Sequence, residues 1–200
     1  MSDRVGALIL AAGASRRLGQ PKAMLSLPTG ETLLARAVAS ARQADLEALV
    51  AVPPGDNDVA REAARLGAPV AVVADPAAGM SASIRAGIER LEADPGISAV
   101  LMMLADQWRL TAGDLTSLLA AWRESPSQVA AARYSGRLGV PAVFGRGHFP
   151  SLASLEGDRG ARDLLRSSGL AVTAVDLPSA EADLDTPAQI PKLASARGIA

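Results

Sequence analysis

The chain has 200 residues, a net charge of −1, 49% hydrophobic residues and only 2% aromatics. That composition supports a core of Ala, Val, Leu and Ile, and it excludes both the basic footprint and the stacking platforms of a nucleic-acid binder. The absence of cysteine removes disulfides, zinc thiolate sites and thiol catalysis, in keeping with a cytoplasmic setting, and with His148 the single histidine any metal site must be built from oxygens, which favours Mg²⁺, Mn²⁺ or Ca²⁺ over Zn²⁺.

Residues 5–14 are apolar, but acidic Asp3 stands ahead of them and Arg16-Arg17 behind, a poor secretory pattern on a stretch too short to span a membrane. Residues 5–10 read instead as a strand buried on both faces, followed by a glycine-containing loop over residues 11–21. The spacing predicts a helix over 32–44 with Leu33, Leu34, Ala37, Val38 and Ala41 on one face. A strand over 46–52 ends at Pro53-Pro54, and a helix over 58–66 stops at Gly67. A strand over 70–74, a helix over 80–91 and a strand over 97–104 follow. Thr111 opens the next helix, with Asp114 as its capping-box partner.

Strands and helices alternating at this spacing imply parallel β-α-β units with helices on both sides of the sheet. The rhythm changes after Ser125. Residues 128–133 and 140–144 read as strands around a turn at 134–139, then a helix over 158–166, a strand over 171–177 and a last helix over 187–197. No repeat or linker divides the chain, so the expectation is one α/β domain over residues 1–200, three layers deep, with a mostly parallel sheet.

The strongest chemical signal is Leu8-Ile9-Leu10-Ala11-Ala12-Gly13-Ala14-Ser15-Arg16-Arg17-Leu18-Gly19-Gln20-Pro21-Lys22. A buried strand runs into small residues whose N–H groups can approach phosphate oxygens, and Arg and Lys supply countercharge. It is neither G-x-G-x-x-G nor a Walker loop. Taken alone, it also fits a plain βα loop with a solvated arginine pair. Asp106 follows an apolar strand at the carboxyl end, where ligands of open α/β sheets bind; a carboxylate there suits Mg²⁺ or a turn cap equally. Residues 79–87 open a helix whose hydroxyls and N–H groups could face a nucleotide, or in which Ser81 serves only as the N-cap.

The residue 8–22 stretch resembles the LAAGxSxRxGxPK signature of the MobA-like NTP transferases, and within them is most similar to the molybdenum cofactor cytidylyltransferases (MocA type). Gly79-Met80-Ser81-Ala82-Ser83-Ile84-Arg85-Ala86-Gly87 is similar to the family's GMSxSLRxG, Gly157-Asp158-Arg159-Gly160-Ala161-Arg162 to GDxGAR, and Asp183-Leu184-Asp185-Thr186-Pro187 to DIDTPED. The resemblance implies a Rossmann-like nucleotide-diphospho-sugar transferase (GT-A-like) fold. Residues 1–125 would be its NTP-binding half and residues 126–200 an acceptor-binding elaboration. It implies a nucleotide site of Leu10, Ala11, Ala12, Gly13, Ala14, Ser15, Lys22, Gly79, Ser81, Ser83 and Asp106. Arg17, Lys22 and Asp106 would be catalytic, and Asp106 and Asp185 would hold Mg²⁺ or Mn²⁺.

The implied reaction moves CMP from CTP, or NMP from another NTP, to a phosphorylated molybdopterin-like acceptor and releases pyrophosphate. A molybdoenzyme is the implied transient partner, and neither nucleic acid nor a membrane is expected. Guanylyltransferase, sugar-phosphate or methylerythritol cytidylyltransferase activities stand as alternatives, and a non-catalytic carrier of nucleotide or cofactor is the rival from another class. Two positions depart from the family pattern. Ala105-Asp106-Gln107-Trp108 stands for Gly-Asp-Gln-Pro, and Gly139-Val140-Pro141 for Gly-His-Pro, so Trp108 and Val140 are expected to alter the acceptor side. Arg162 is a candidate for an acceptor phosphate and equally for a plain surface position on its helix. His148 is assigned no role.

Overall fold

The computed structural model describes residues 4–13, 20–167 and 169–181. β1 (Arg4–Leu10) is the first apolar run, and its side chains alternate between two cores because a strand has a period of two. Val5, Ala7 and Ile9 enter one core and Leu8 the other. β4 (Ile97–Leu104) behaves alike, with Ala99, Leu101 and Met103 on the first side and Val100 and Met102 on the second. Strands buried on both faces need helices on both. α1 (Leu33–Gln43), α2 (Asp58–Arg65) and α4 (Ala112–Glu124) cover the first face. α3 (Met80–Glu92), α5 (Phe149–Ala153) and α6 (Ala161–Leu165) cover the second. Each Leu or Ile fully buried between these layers contributes about 1.5–3 kcal/mol. At Gly87 the helix and sheet come so close that a Cβ would lie 2.4 Å from the Leu8 methyl carbons. The three-layer expectation holds.

The remaining strands are β2 (Glu47–Val52), β3 (Val70–Val72), β5 (Val129–Tyr134), β6 (Arg137–Gly145) and β7 (Val172–Asp176). Among the described residues they form one seven-stranded sheet in the order β3-β2-β1-β4-β6-β5-β7. Only β6 runs against the others, pairing antiparallel with both β4 and β5. Both halves of the chain thus contribute to one sheet. The first crossovers build outward from β1 to β3, and the chain then returns to lay β4 on the other side of β1. The strand order reverses there, so a crevice opens at the carboxyl ends of β1 and β4.

Local signals set most helix starts. Thr32 Oγ1 accepts from the Ala35 N–H at 3.0 Å, and Asn57 Oδ1 from the Ala60 N–H at 2.9 Å. The Thr111–Asp114 capping box forms in both directions, at 2.8 and 3.2 Å. The second half departs from expectation in detail. The hairpin turn shrinks to Ser135-Gly136, with φ of 48° and 73°, the primed geometry that matches strand twist. The helix expected over 158–166 begins only at Ala161, because Gly157 sits at φ 60° and the Asp163 carboxylate caps the Gly160 N–H at 2.9 Å. Pro141 stands inside β6. The ladder tolerates it through a bulge: Ala131 pairs with Ala142 and Ala132 with Gly139, leaving Val140 and Pro141 outside the register. The last helix expected, over 187–197, lies outside the described residues.

Candidate active site

The crevice holds a cavity of about 890 Å³. Its floor is the end of β1, with Leu10, Ala11, Ala12 and Gly13 all in the lining. Two bonds extend the ladders past the strand ends: Ala11 N–H donates to the Ala51 carbonyl and Ala105 N–H to the Leu10 carbonyl, each at 3.2 Å. They fix the backbone on either side of the opening. Lys22 comes from a 3₁₀ turn, Lys22–Met24, and Asp106 from the turn after β4. Their side chains meet across the cleft, Lys22 Nζ lying 3.1 Å from Asp106 Oδ2. The two residues are 84 positions apart, and side-chain exposures of 26% and 13% leave the pair reachable from the cavity.

The opposite wall is the start of α3. Gly79 caps this helix at φ 93°, and Gly79 and Ser83 line the cavity. A Cβ on Gly79 would sit 2.4 Å from the Gly157 carbonyl oxygen and 2.7 Å from an Asp158 oxygen, so only glycine fits. Ser81 is not among the lining residues. The helix begins at Met80, which places Ser81 on the inward stripe with Ile84 and Ile88, fully buried. Its N–H donates to the Gly157 carbonyl at 3.1 Å, so this group of the helix N-terminus is already taken. The N-cap role considered for Ser81 belongs to Gly79.

Ala14, Ser15, Arg17 and Asp185 lie outside the described residues, as does the 182–187 segment. The structure therefore brings together Leu10, Ala11, Ala12, Gly13, Lys22, Gly79, Ser83 and Asp106. Two further carboxylates share the lining: Asp75, which sequence reasoning missed, and Asp158, which it quoted within a family-like segment without naming it for this site. Asp75 follows β3 at its carboxyl end, a signal that was readable. Asp158 could be placed only by the fold.

Two residues named for the acceptor side have packing or hydrogen-bond partners in the structure. Trp108 is absent from the cavity lining. It packs against Leu25, Leu27 and Leu33, with the Arg109 guanidinium 4.9 Å from the ring centre. The apolar Leu25 and Leu27 directly after Lys22 draw the indole to the Lys22 loop. Arg162 donates to the Tyr134 hydroxyl at 3.2 Å. His148 lies beyond β6 at the far end of the sheet, edge-on to Phe144.

The MobA-like NTP transferase domain matches residues 7–172. The chain belongs to this family, a family of nucleotidyltransferases. Among curated relatives it is 32% identical over 120 residues to purine catabolism protein PucB of Bacillus subtilis, covering 58% of this chain and 56% of that protein. It is 30% identical over 126 residues to a probable molybdenum cofactor guanylyltransferase of Rhodopirellula baltica, covering 63% of this chain and 59% of that protein. The chain thus spans less than two thirds of the curated relatives it matches.

Solved structures align over nearly the whole chain. A homologue of Mycobacterium tuberculosis Rv0371c from Mycobacterium sp. strain JC1 is 32% identical, with a TM-score of 0.80 and 98% of both chains covered. The Rv0371c complex with manganese from Mycobacterium tuberculosis H37Rv is 27% identical, with a TM-score of 0.73, covering 95% of this chain and 97% of that one. No helix among the described residues is long and apolar enough to cross a membrane.

Proposed function

We propose that this chain transfers a nucleoside monophosphate from an NTP to a phosphorylated small-molecule acceptor and releases pyrophosphate, acting in the cytoplasm. An acceptor phosphate oxygen attacks the α-phosphorus of the NTP. The new P–O bond forms as the bond to the β-phosphate bridging oxygen breaks, and pyrophosphate leaves with that electron pair. Such a displacement needs positioning and charge neutralisation more than a general base. The observation that carries this reading is the Lys22–Asp106 pair at the switch-point cleft. The lysine neutralises developing phosphate charge, and Arg17 assists by resemblance. A pure carrier of nucleotide or cofactor has no need of such a pair.

The donor atoms suit a hard divalent cation. Asp106 offers carboxylate oxygen within the cavity, and Mg²⁺ is commonly held by one or two carboxylates plus substrate phosphates. Asp106 would hold Mg²⁺ or Mn²⁺, with Asp185 as the second carboxylate. The ion would supply charge neutralisation on the phosphate oxygens. By resemblance the small residues 11–15 hold the triphosphate, residues 1–125 the NTP and residues 126–200 the acceptor.

CTP is the donor in this reading and a molybdopterin cofactor carrying molybdenum the acceptor, with delivery to a molybdoenzyme. The LAAG-type floor supports CTP: the Ala12 methyl is buried in the cleft lining and restricts how a base can sit. A guanylyltransferase is the second reading, favoured by the name of the Rhodopirellula baltica relative. Pyrophosphate release, measured for each NTP in turn against a panel of phosphorylated acceptors, tests both. Release with CTP and a pterin phosphate is the expected result; equal use of GTP and CTP rejects the cytidylyl assignment, and no release with any pair rejects the enzyme.

A further inference from the structure

Gln107 is one of the few buried polar residues, at 3% exposure, and it stands directly after Asp106. Its side-chain amide joins three separate segments. Oε1 accepts from the Leu104 N–H at 3.2 Å, closing the turn that carries Asp106. Nε2 donates to the Val140 carbonyl at 2.8 Å and to the Ala180 carbonyl at 3.1 Å. The Val140 carbonyl is available because the β6 bulge takes that residue out of the ladder. Ala180 sits in the 3₁₀ turn Pro178–Glu181, five positions before Asp185 in the chain. Both donors of the amide are used, and only an amide supplies two donors beside one acceptor in this shape. Glutamate would set a carboxylate against two carbonyl oxygens.

We infer that Gln107 is a positioning residue for the metal site: it fixes the Asp106 turn to β6 and to the Pro178–Glu181 turn. The inference rests on the metal reading proposed above. One side of the turn is tied to β1 through Ala105 N–H and the Leu10 carbonyl. Gln107 ties the other side to the second half of the chain. With both sides held, the Asp106 carboxylate projects into the cleft without having to be ordered on binding. Residues that orient metal ligands typically change metal affinity by 10–100-fold when removed.

The test is direct Mn²⁺ binding to the full chain, followed by the electron paramagnetic resonance signal of the free ion, with melting temperatures measured in parallel. Gln107→Met keeps the length of the side chain and loses all three hydrogen bonds. At a temperature where the variant is fully folded, its Mn²⁺ affinity should fall by about tenfold or more. If it does not fold, Gln107→Glu, which keeps an acceptor for the Leu104 N–H, carries the same measurement. A purely structural role would lower the melting temperature and leave the affinity of the folded protein unchanged, which overturns the inference. Asp106→Asn separates the two ideas. If it leaves Mn²⁺ affinity unchanged, or if the wild type binds no Mn²⁺, the metal reading itself fails. If Asp106→Asn abolishes binding while the Gln107 variants bind normally, only the positioning role fails.

Discussion

The two ends of the sheet are built on different terms. At the amino end, charge ties strands and loops together. Arg4 reaches Glu47 at 2.9 Å and Asp94 at 2.8 Å, and Arg146 donates to the carbonyls of Glu92, Asp94 and Ile97. Each guanidinium spreads over several partners, so this end has little left to offer a ligand. At the carboxyl end, small residues and backbone line a cavity, and Lys22–Asp106 is the pair at its rim. One end therefore stabilises the fold, and the other keeps its groups where a substrate can reach them. Function and stability should separate when each end is altered.

The largest expected effect is at the metal site. EDTA should abolish pyrophosphate release and added Mg²⁺ or Mn²⁺ restore it. Asp106→Asn should lower turnover by about 10³-fold, at the upper end of what losing one preorganised electrostatic group costs, and Asp185→Asn should be the milder change. Both should melt close to the wild type; an Asp106→Asn protein that unfolds early would move this residue to the structural class. Lys22→Ala should follow, with a loss of about 10²-fold in kcat and little change in Tm, and a fully active variant would remove Lys22 from the chemistry.

A smaller effect is expected on the cleft floor. Ala12→Gly should narrow the CTP-over-GTP preference by no more than a single methyl group discriminates, about 1–3 kcal/mol, read as the ratio of the two kcat/KM values. An unchanged ratio would detach Ala12 from base selection.

The amino end should answer in the opposite way. Arg146→Ala strips donors from three backbone carbonyls and should cost about 1–3 kcal/mol, with kcat unchanged. For a chain of this size each kcal/mol is about 2–4 °C of Tm. A fall in kcat without a fall in Tm would break the contrast between the ends. The smallest effect concerns acid. The Gly96 N–H and then the Arg4 guanidinium hold the Asp94 carboxyl below its ordinary range. Its lowered folded pKa means that its contribution is present above the unfolded carboxylate range and is lost as pH falls through the folded value. Below about pH 4 the wild type should therefore lose more stability than Asp94→Asn, a difference visible as converging melting temperatures.

The sequence by itself determined the first half well. Apolar runs bounded by Pro and Gly gave β1, β2 and β4, and Thr111 with Asp114 marked a helix start, because those signals lie within a few residues of their effect. It also named Lys22, Asp106 and the small residues 11–13, but through resemblance to a family signature, since the strand-and-loop pattern alone fits a plain βα loop as well. Only the tertiary structure decided who meets whom. Lys22 and Asp106 are joined by the parallel pairing of β1 and β4, a contact between distant residues that no local pattern encodes. The same holds for Asp158 beside Gly79, and for Trp108, which packs against Leu25, Leu27 and Leu33. It holds most of all for Gln107, whose three partners come from three segments, one of them the Val140 carbonyl that the bulge at Pro141 takes out of the ladder.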